Sequence, residues 1–358
     1  MTPESQEFLK KIVQTPSPPG FEENIQIVVR NYMKTHADLI KTDVHGNVIA
    51  IKNPDAPVRV MLSGHCDQIG LLVNYIDPEG FLYVLPLGGW DPQMLIGQRV
   101  LLWAESGPIP GVIGKKPIHL LNEEERKKVP KIQDLWIDIG AANKEEAEKL
   151  VAVGTPVTVE LEYRELFNDL LAAPGTDDKT GMWVVMEALK RADSTKTKCG
   201  VYAVSSVQEE VGLRGAKTSA FGIDPHVGIA VDVTFATDCP TIEKKQNGEI
   251  KLGAGPVLSR GPNMNTKLVN NLVKVAKENE IPFQMSAEGR ITGTDANVIQ
   301  VNRSGVATAL VSIPNRYMHS PVEVVSRKDL DAAADLLARF LETLDPKEDF
   351  IPGQYWSK

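Results

Sequence analysis

The sequence predicts an α/β protein: a mixed sheet flanked by helices, with a small β-barrel domain inserted into it. Three observations predict this. After Asp169, strand-like and helix-like stretches alternate, the signature of an α/β sheet. The first 70 residues have the same texture. Residues 72–165 instead carry short apolar runs broken by Gly and Pro, the pattern of a small all-β barrel or sandwich. The expected division is therefore a discontinuous α/β domain, residues 1–70 and 166–350, with a β-rich insert at 71–165.

Taken in order, residues 4–15 place Phe8, Leu9, Ile12 and Val13 at helical spacing. Pro16, Pro18, Pro19 and Gly20 break that helix. A second helix follows over 22–34, with Ile25, Val28, Val29 and Tyr32 on one face. Residues 39–52 read as a hairpin turning at His45-Gly46-Asn47, and 58–67 as a strand ending in polar groups. In the insert, strands are expected at 81–87, 99–103, 111–113, 135–139 and 156–162, with charged helical pieces at 122–128 and 144–150. Beyond it, helices are expected at 180–192, 265–279 and 327–344, and strands at 199–207, 227–231 and 306–313.

Composition narrows the function. The chain has 358 residues, 42% hydrophobic and 24% charged, which suits a soluble globular protein with a sizeable core. A formal net charge of -8 argues against a general nucleic-acid or anionic-membrane binder. No run of about 18 apolar residues predicts a membrane span, and the polar N-terminus lacks the features of a signal peptide. Three cysteines, Cys66, Cys199 and Cys239, without CxxC spacing, do not form a disulfide framework. A cytoplasmic protein is the expectation.

In open α/β sheets, ligands bind beyond the carboxyl ends of the strands. The strand at 58–63 delivers His65 and Asp67 to that edge, the strand at 200–207 delivers Glu209 and Glu210, and the strand at 227–231 delivers Asp232. His319 follows the run at 306–313, and the loop before the helix at 180 carries Asp177 and Asp178. Singly, each has a plainer explanation. A histidine after a strand is usually a hydrogen-bonding residue, an Asp-Asp pair a turn or helix cap, and a Glu-Glu pair a solvated face. Those explanations give no reason for all of them to gather at one edge. Adjacent carboxylates closing a buried strand are costly unless something positive neutralises them. Two imidazoles with several carboxylates suit zinc, cobalt or manganese. His36, His45, His119 and His226 are not expected to join them, and Cys66 is expected to be a small packed residue. HExxH, GxSxG and P-loop patterns are absent.

Five ordered motifs then carry a resemblance: Gly64-His65-Cys66-Asp67-Gln68-Ile69-Gly70, Thr176-Asp177-Asp178-Lys179-Thr180-Gly181, Gln208-Glu209-Glu210-Val211-Gly212, Val231-Asp232-Val233 and Met318-His319-Ser320. With Gly89-Trp90-Asp91 and Gly293-Thr294-Asp295-Ala296, the set resembles the tetrahedral (TET) aminopeptidases, dinuclear metallopeptidases of which some are labelled glutamyl aminopeptidase or endoglucanase. The resemblance implies a zinc-peptidase-like fold and two divalent metal ions per subunit, zinc or cobalt. It implies that Asp177 bridges them, that His65 and Asp232 complete one site, and that Glu210 and His319 complete the other. Glu209 is implied as general base and Asp67 as the partner orienting His65. A cis peptide at Asp177-Asp178 and a homo-oligomer, up to a hollow dodecamer with contacts through the insert, are also implied; the plainer expectation is a dimer. Gln68 and Lys179 stand where the family usually has Glu and Arg.

The expected activity is removal of N-terminal residues from peptides by a two-metal-activated water, with no nucleic-acid or membrane partner. A related deacylase or carboxypeptidase is chemically close. An endoglucanase would need two carboxylates without histidines or metals. A metal-binding protein without catalysis is the non-enzymatic alternative.

Overall fold

The computed structural model describes residues 1–352. Its frame is an 11-stranded mixed sheet. Across it run, in spatial order, Leu39–Thr42, Val48–Lys52, Gly200–Ser206, Arg59–His65, Val227–Phe235, Ala307–Arg316, Val324–Ser326, Leu170–Ala172 and Arg164–Leu166. Val257–Arg260 and Gln284–Ala287 pair beside this path, against Ala307–Arg316. The four central strands, from Gly200–Ser206 to Ala307–Arg316, are parallel to one another. Both faces of such strands are covered, which is why they read as continuous apolar runs and not as alternation.

The residues of Arg59–His65 show the layering. Val60 and Leu62 join the large core formed with the helices Pro3–Val13, Glu23–Met33, Thr176–Arg191, Thr266–Glu278 and Arg327–Thr343, where Trp183 and Phe340 are its bulkiest buried members. Met61 points the other way, into a smaller core under the helices Arg214–Ile223 and Ala296–Gln300. The alternation of side chains along a strand thus serves two apolar layers. Neither of those two helices was expected from the sequence, because Arg214–Ile223 follows directly on a Gly-containing turn and Ala296–Gln300 is only five residues long.

Within the insert, Gly70–Ile76, Leu82–Leu87, Trp136–Asp138, Gly107–Gly114, Arg99–Ala104 and Pro156–Val159 close into a six-stranded barrel. Leu71, Val73, Leu82, Val100, Leu102 and Ile137 fill it. Closure removes the free edges that short strands would otherwise expose. Among the described residues no helix is long and apolar enough to cross a membrane, and all three cysteines are free.

One contact fixes how the helix Thr176–Arg191 lies on the central strand. A Cβ added at Gly64 would stand 2.5 Å from the Met182 backbone nitrogen and 2.7 Å from Met182 Cα. Those atoms are backbone and cannot swing aside. Gly64→Ala is therefore expected to lift the helix, costing about 1–3 kcal/mol or more, visible as a lower denaturant midpoint. An unchanged midpoint would show that the helix can shift freely.

Candidate metal centre

The carboxyl ends of the parallel strands converge on one cavity of about 590 Å³. His65, Asp177, Glu209, Glu210, Asp232 and His319 all line it. His65 is the last residue of its strand. Asp232 lies inside Val227–Phe235, beside Ser312, and not beyond the strand's end as its spacing suggested. Asp177 lies in the distorted first turn of the helix Thr176–Arg191, after Gly175 at φ 70°. Its peptide with Asp178 is cis. Glu209 and Glu210 sit in a tight turn after Gly200–Ser206, entered through Gln208 at φ 55°. The turn is closed by the Gly212 and Leu213 N–H groups donating to the Glu209 carbonyl (2.9 Å each). The extended strand itself ends at Ser206.

Asp177 stands between the two imidazoles. Its Oδ1 is 3.3 Å from His65 Nε2 and its Oδ2 is 3.2 Å from His319 Nε2. His65 Nε2 is also 3.8 Å from Glu209 Oε2 and 4.0 Å from Asp232 Oδ1. Glu210 Oε2 lies 3.5 Å from His319 Nε2. Both imidazoles are oriented from behind. His65 Nδ1 donates to the Asp67 carbonyl (3.0 Å), and His319 Nδ1 donates to the Gly89 carbonyl of the insert (2.8 Å). A carbonyl can only accept, so each Nδ1 carries its hydrogen and each Nε2 is the nitrogen left to face the cavity.

Asp67 is fully buried behind the cavity. Its carboxylate is 3.5 Å from His65 Nδ1. That same carboxylate accepts the backbone N–H groups of Glu209 (3.0 Å) and Glu210 (3.1 Å). It thus positions the Glu209-Glu210 turn as well as the imidazole. Asp178 comes close to His65 and Asp232. Its oxygens, however, accept the N–H groups of Gly181 (3.1 Å) and His65 (3.2 Å), so it caps the helix and is not turned to the cavity.

The charge pattern calls for cations. Among the lining residues there is no Lys or Arg. Burial and neighbouring carboxylates push the Glu209 and Glu210 carboxyls well above their ordinary range, and Asp232 up to about 8. Burial would lower the His65 pKa, but Glu209, Asp177 and Asp67 outweigh it and raise it well above 6.5. The His319 pKa is raised chiefly by its bond to Asp177. Burial would raise Asp177, yet the two imidazoles hold it below the usual carboxylate range. A site that draws in positive charge this strongly fits divalent ions as readily as protons. Glu210 Oε1, buried and without a hydrogen-bond partner, is an oxygen left for such an ion.

The profile of the M42 glutamyl aminopeptidases matches residues 46–336. The chain belongs to the M42 family. It is 43% identical to the lysyl aminopeptidase of Pyrococcus furiosus, over 97% of this chain and 99% of that protein. Among solved structures, the TET aminopeptidase of a marine-sediment Thaumarchaeota archaeon superposes with a TM-score of 0.91, at 36% identity over 96% of this chain and 97% of that one. The Pyrococcus horikoshii TET1 peptidase, which can assemble into a tetrahedron or a large octahedral shell, gives 0.84 at 33% identity, covering 95% and 100%. As an M42 chain, this protein is a peptidase of the metal-dependent aminopeptidase class.

Several residues that order this M42 site escaped the sequence reading. Glu323 accepts from Asp177 N (3.0 Å), Thr176 Oγ1 (2.9 Å) and His319 N (2.9 Å), tying together the backbones of two cavity residues. Burial raises its pKa to about 8. Asp295 accepts from Ser63 Oγ (2.8 Å) and Ser206 Oγ (2.7 Å) beneath the cavity. Its motif was visible, but its partners lie far away in sequence. The Gln68 and Lys179 departures prove to be one feature. The Lys179 ammonium is fully buried and bonds to Gln68 Oε1 and to the Thr15 carbonyl (2.7 Å). Burial lowers its pKa to about 7. An amide partner suits an amine whose charge is this weakly held, whereas a carboxylate would require the charged form.

Proposed function

We propose that this chain is a dinuclear aminopeptidase, with two divalent ions, zinc or cobalt, and Glu209 as general base. His65, Asp177 and Asp232 would hold one ion; Asp177, Glu210 and His319 would hold the other. The observation that carries this reading is that each carboxylate oxygen of Asp177 faces a different imidazole. When bound, the metals would lower the pKa of water toward neutrality and polarise the scissile carbonyl.

The remaining work falls to the chain. Glu209, nearly buried and held at its backbone by Asp67, accepts the proton of the attacking water and returns it to the leaving amine. Burial makes its carboxylate a stronger proton acceptor than an exposed Glu. Glu323 and the Gly89 carbonyl keep His319 in place. Asp67 keeps His65 and the Glu209-Glu210 turn in register.

Chelator-sensitive hydrolysis of aminoacyl p-nitroanilides is the direct test. Loss of turnover when the peptide N-terminus is blocked would separate an aminopeptidase from a deacylase, and carboxymethylcellulose should not be cleaved. His319→Ala should lose about half of the bound metal, measured by mass spectrometry of the purified protein. Full metal content in that variant would remove His319 from the ligand set.

We propose further that the protein is a homo-oligomer, between a dimer and a dodecamer, in a reducing compartment such as the cytoplasm. Ile118, Leu120 and Val129, on one stretch of the insert, are 61%, 68% and 62% exposed, which suits burial against other subunits. Light scattering after size exclusion decides this; a monomer rejects it.

A further inference from the structure

The turn that carries Glu209 is shaped by side chains and not by a backbone ladder. The successive N–H groups from Val207 to Glu210 all donate to side-chain oxygens. Val207 donates to Asn47 Oδ1 (3.1 Å), Gln208 to Glu22 Oε1 (3.1 Å), and Glu209 and Glu210 to the two oxygens of Asp67. A run of N–H groups in such a turn makes a concavity that favours negative charge. Two buried carboxylates fill this one, Asp67 and Glu22. Glu22 comes from the N-terminal part of the chain, 186 residues before Gln208.

Glu22 occupies the N-cap position of the helix Glu23–Met33, where a side chain ordinarily accepts an N–H of its own first turn. Here it makes no such bond. Its carboxylate accepts instead from Gln208 and from Gly20 (2.9 Å). Gln208 needs that partner. At φ 55° its backbone lies in a region that residues with a side chain rarely adopt, and such a conformation persists only where the surroundings fix it. Without the acceptor the peptide is free to turn, and Glu209, the next residue, turns with it. The loop that carries Glu22 is itself tied to the site. Ser17 Oγ donates to the Cys66 carbonyl (2.7 Å), the Ser17 carbonyl accepts from Gln68 N (3.0 Å), and the Thr15 carbonyl accepts from Lys179 Nζ (2.7 Å). Residues 15–22 thus bond to the segments bearing His65, Asp177 and Glu209 without lining the cavity themselves.

We infer that Glu22 is a positioning residue for the reaction: through the Gln208 N–H it sets where the Glu209 carboxylate stands in the cavity. Asn47 and Asp67 hold the same turn, but each serves other partners. Asn47 also bonds Asp43, Gly215 and Thr218, and Asp67 backs His65. Glu22 bonds Gln208 and the neighbouring Gly20, so a change there reaches the cavity through one N–H. This inference rests on the reading of Glu209 as general base and adds what holds that base in place.

The test measures kcat, KM and metal content on the aminoacyl p-nitroanilide that the wild type turns over fastest. It compares the metal-loaded wild type, Glu22→Gln, Glu22→Ala, Glu209→Gln, and the double variant of Glu22→Ala with Glu209→Gln. Glu22→Ala should lower kcat about ten-fold or more, since a misplacement of about 1 Å can cost on the order of a hundred-fold. Its KM and metal content should stay as in the wild type. Glu22→Gln keeps the reach and the acceptor oxygen and should restore most of kcat. In the double variant the base is already gone, so Glu22→Ala should cost nothing further. A merely structural role would slow both backgrounds alike, and that result would overturn the inference. So would an unchanged kcat in Glu22→Ala, or a fall accounted for by lost metal or raised KM. If Glu22→Ala does not fold, Glu22→Asp, which withdraws the carboxylate from Gln208, takes its place with the same expectations. An active wild type with an equally active Glu209→Gln would remove the base and this inference, and leave the aminopeptidase reading. A wild type without turnover on any aminoacyl substrate would remove all of them.

Discussion

Glu209→Gln should keep both metal ions and lose about a thousand-fold in kcat, within the range contributed by a positioned general base. The amide is the same size as the carboxylate, and the Glu209 N–H bond to Asp67 does not depend on the side chain. Glu209 is 3.8 Å from His65 Nε2 and crowded by the charges of Asp232, Asp295 and Asp67, so removing its charge relieves repulsion. The fold and the metal ligands should tolerate the change. What the amide lacks is a lone pair basic enough to accept a proton from water. The measurement is kcat at saturating substrate, together with metal content per chain. Turnover within about ten-fold of wild type, well below a general-base contribution, would exclude Glu209 as the base. Loss of one metal would make it a ligand instead.

Asp177→Asn should have an equally large effect by another route. Asp177 lies between the two imidazoles, with one oxygen toward each. Asn keeps the shape but loses the charge and turns one oxygen into an N–H donor facing a His Nε2. Both proposed ions lose a ligand at once, so metal content should fall from two per chain to below one. Thermal unfolding gives an independent reading. An ion that binds only the folded state stabilises it by about 2.7 kcal/mol at a free concentration a hundred times its Kd. Chelator should therefore lower the melting temperature of the wild type and leave that of Asp177→Asn nearly unmoved. If the variant keeps two ions, the bridging role fails. The graded pair, about half the metal lost in His319→Ala and nearly all in Asp177→Asn, distinguishes a bridge from a terminal ligand.

The sheet, the helices and the barrel were legible because burial leaves a periodic trace. Phe8, Leu9, Ile12 and Val13 repeat at helical spacing and are all buried on one helix face. The barrel was legible from short runs between Gly and Pro. Short elements such as Ala296–Gln300 and Val324–Ser326 were not, since five residues or fewer carry too little periodicity.

By itself, the sequence determined the residue types of the site and the edge of the sheet at which they gather. Each of His65, Asp177, Glu210, Asp232 and His319 is polar, in or beside an apolar run, and that is a local property. Only the tertiary structure decided how they are held and which others join them. Asp67 holds the turn at Glu209 and Glu210, some 140 residues away. Glu323 ties Asp177 to His319, and Asp295 ties Ser63 to Ser206 beneath the cavity. These are single bonds and packing contacts between distant segments, brought together by approaches such as Gly64 against Met182. Such contacts leave no period in the chain, because they depend on how finished elements pack and not on which face each element buries.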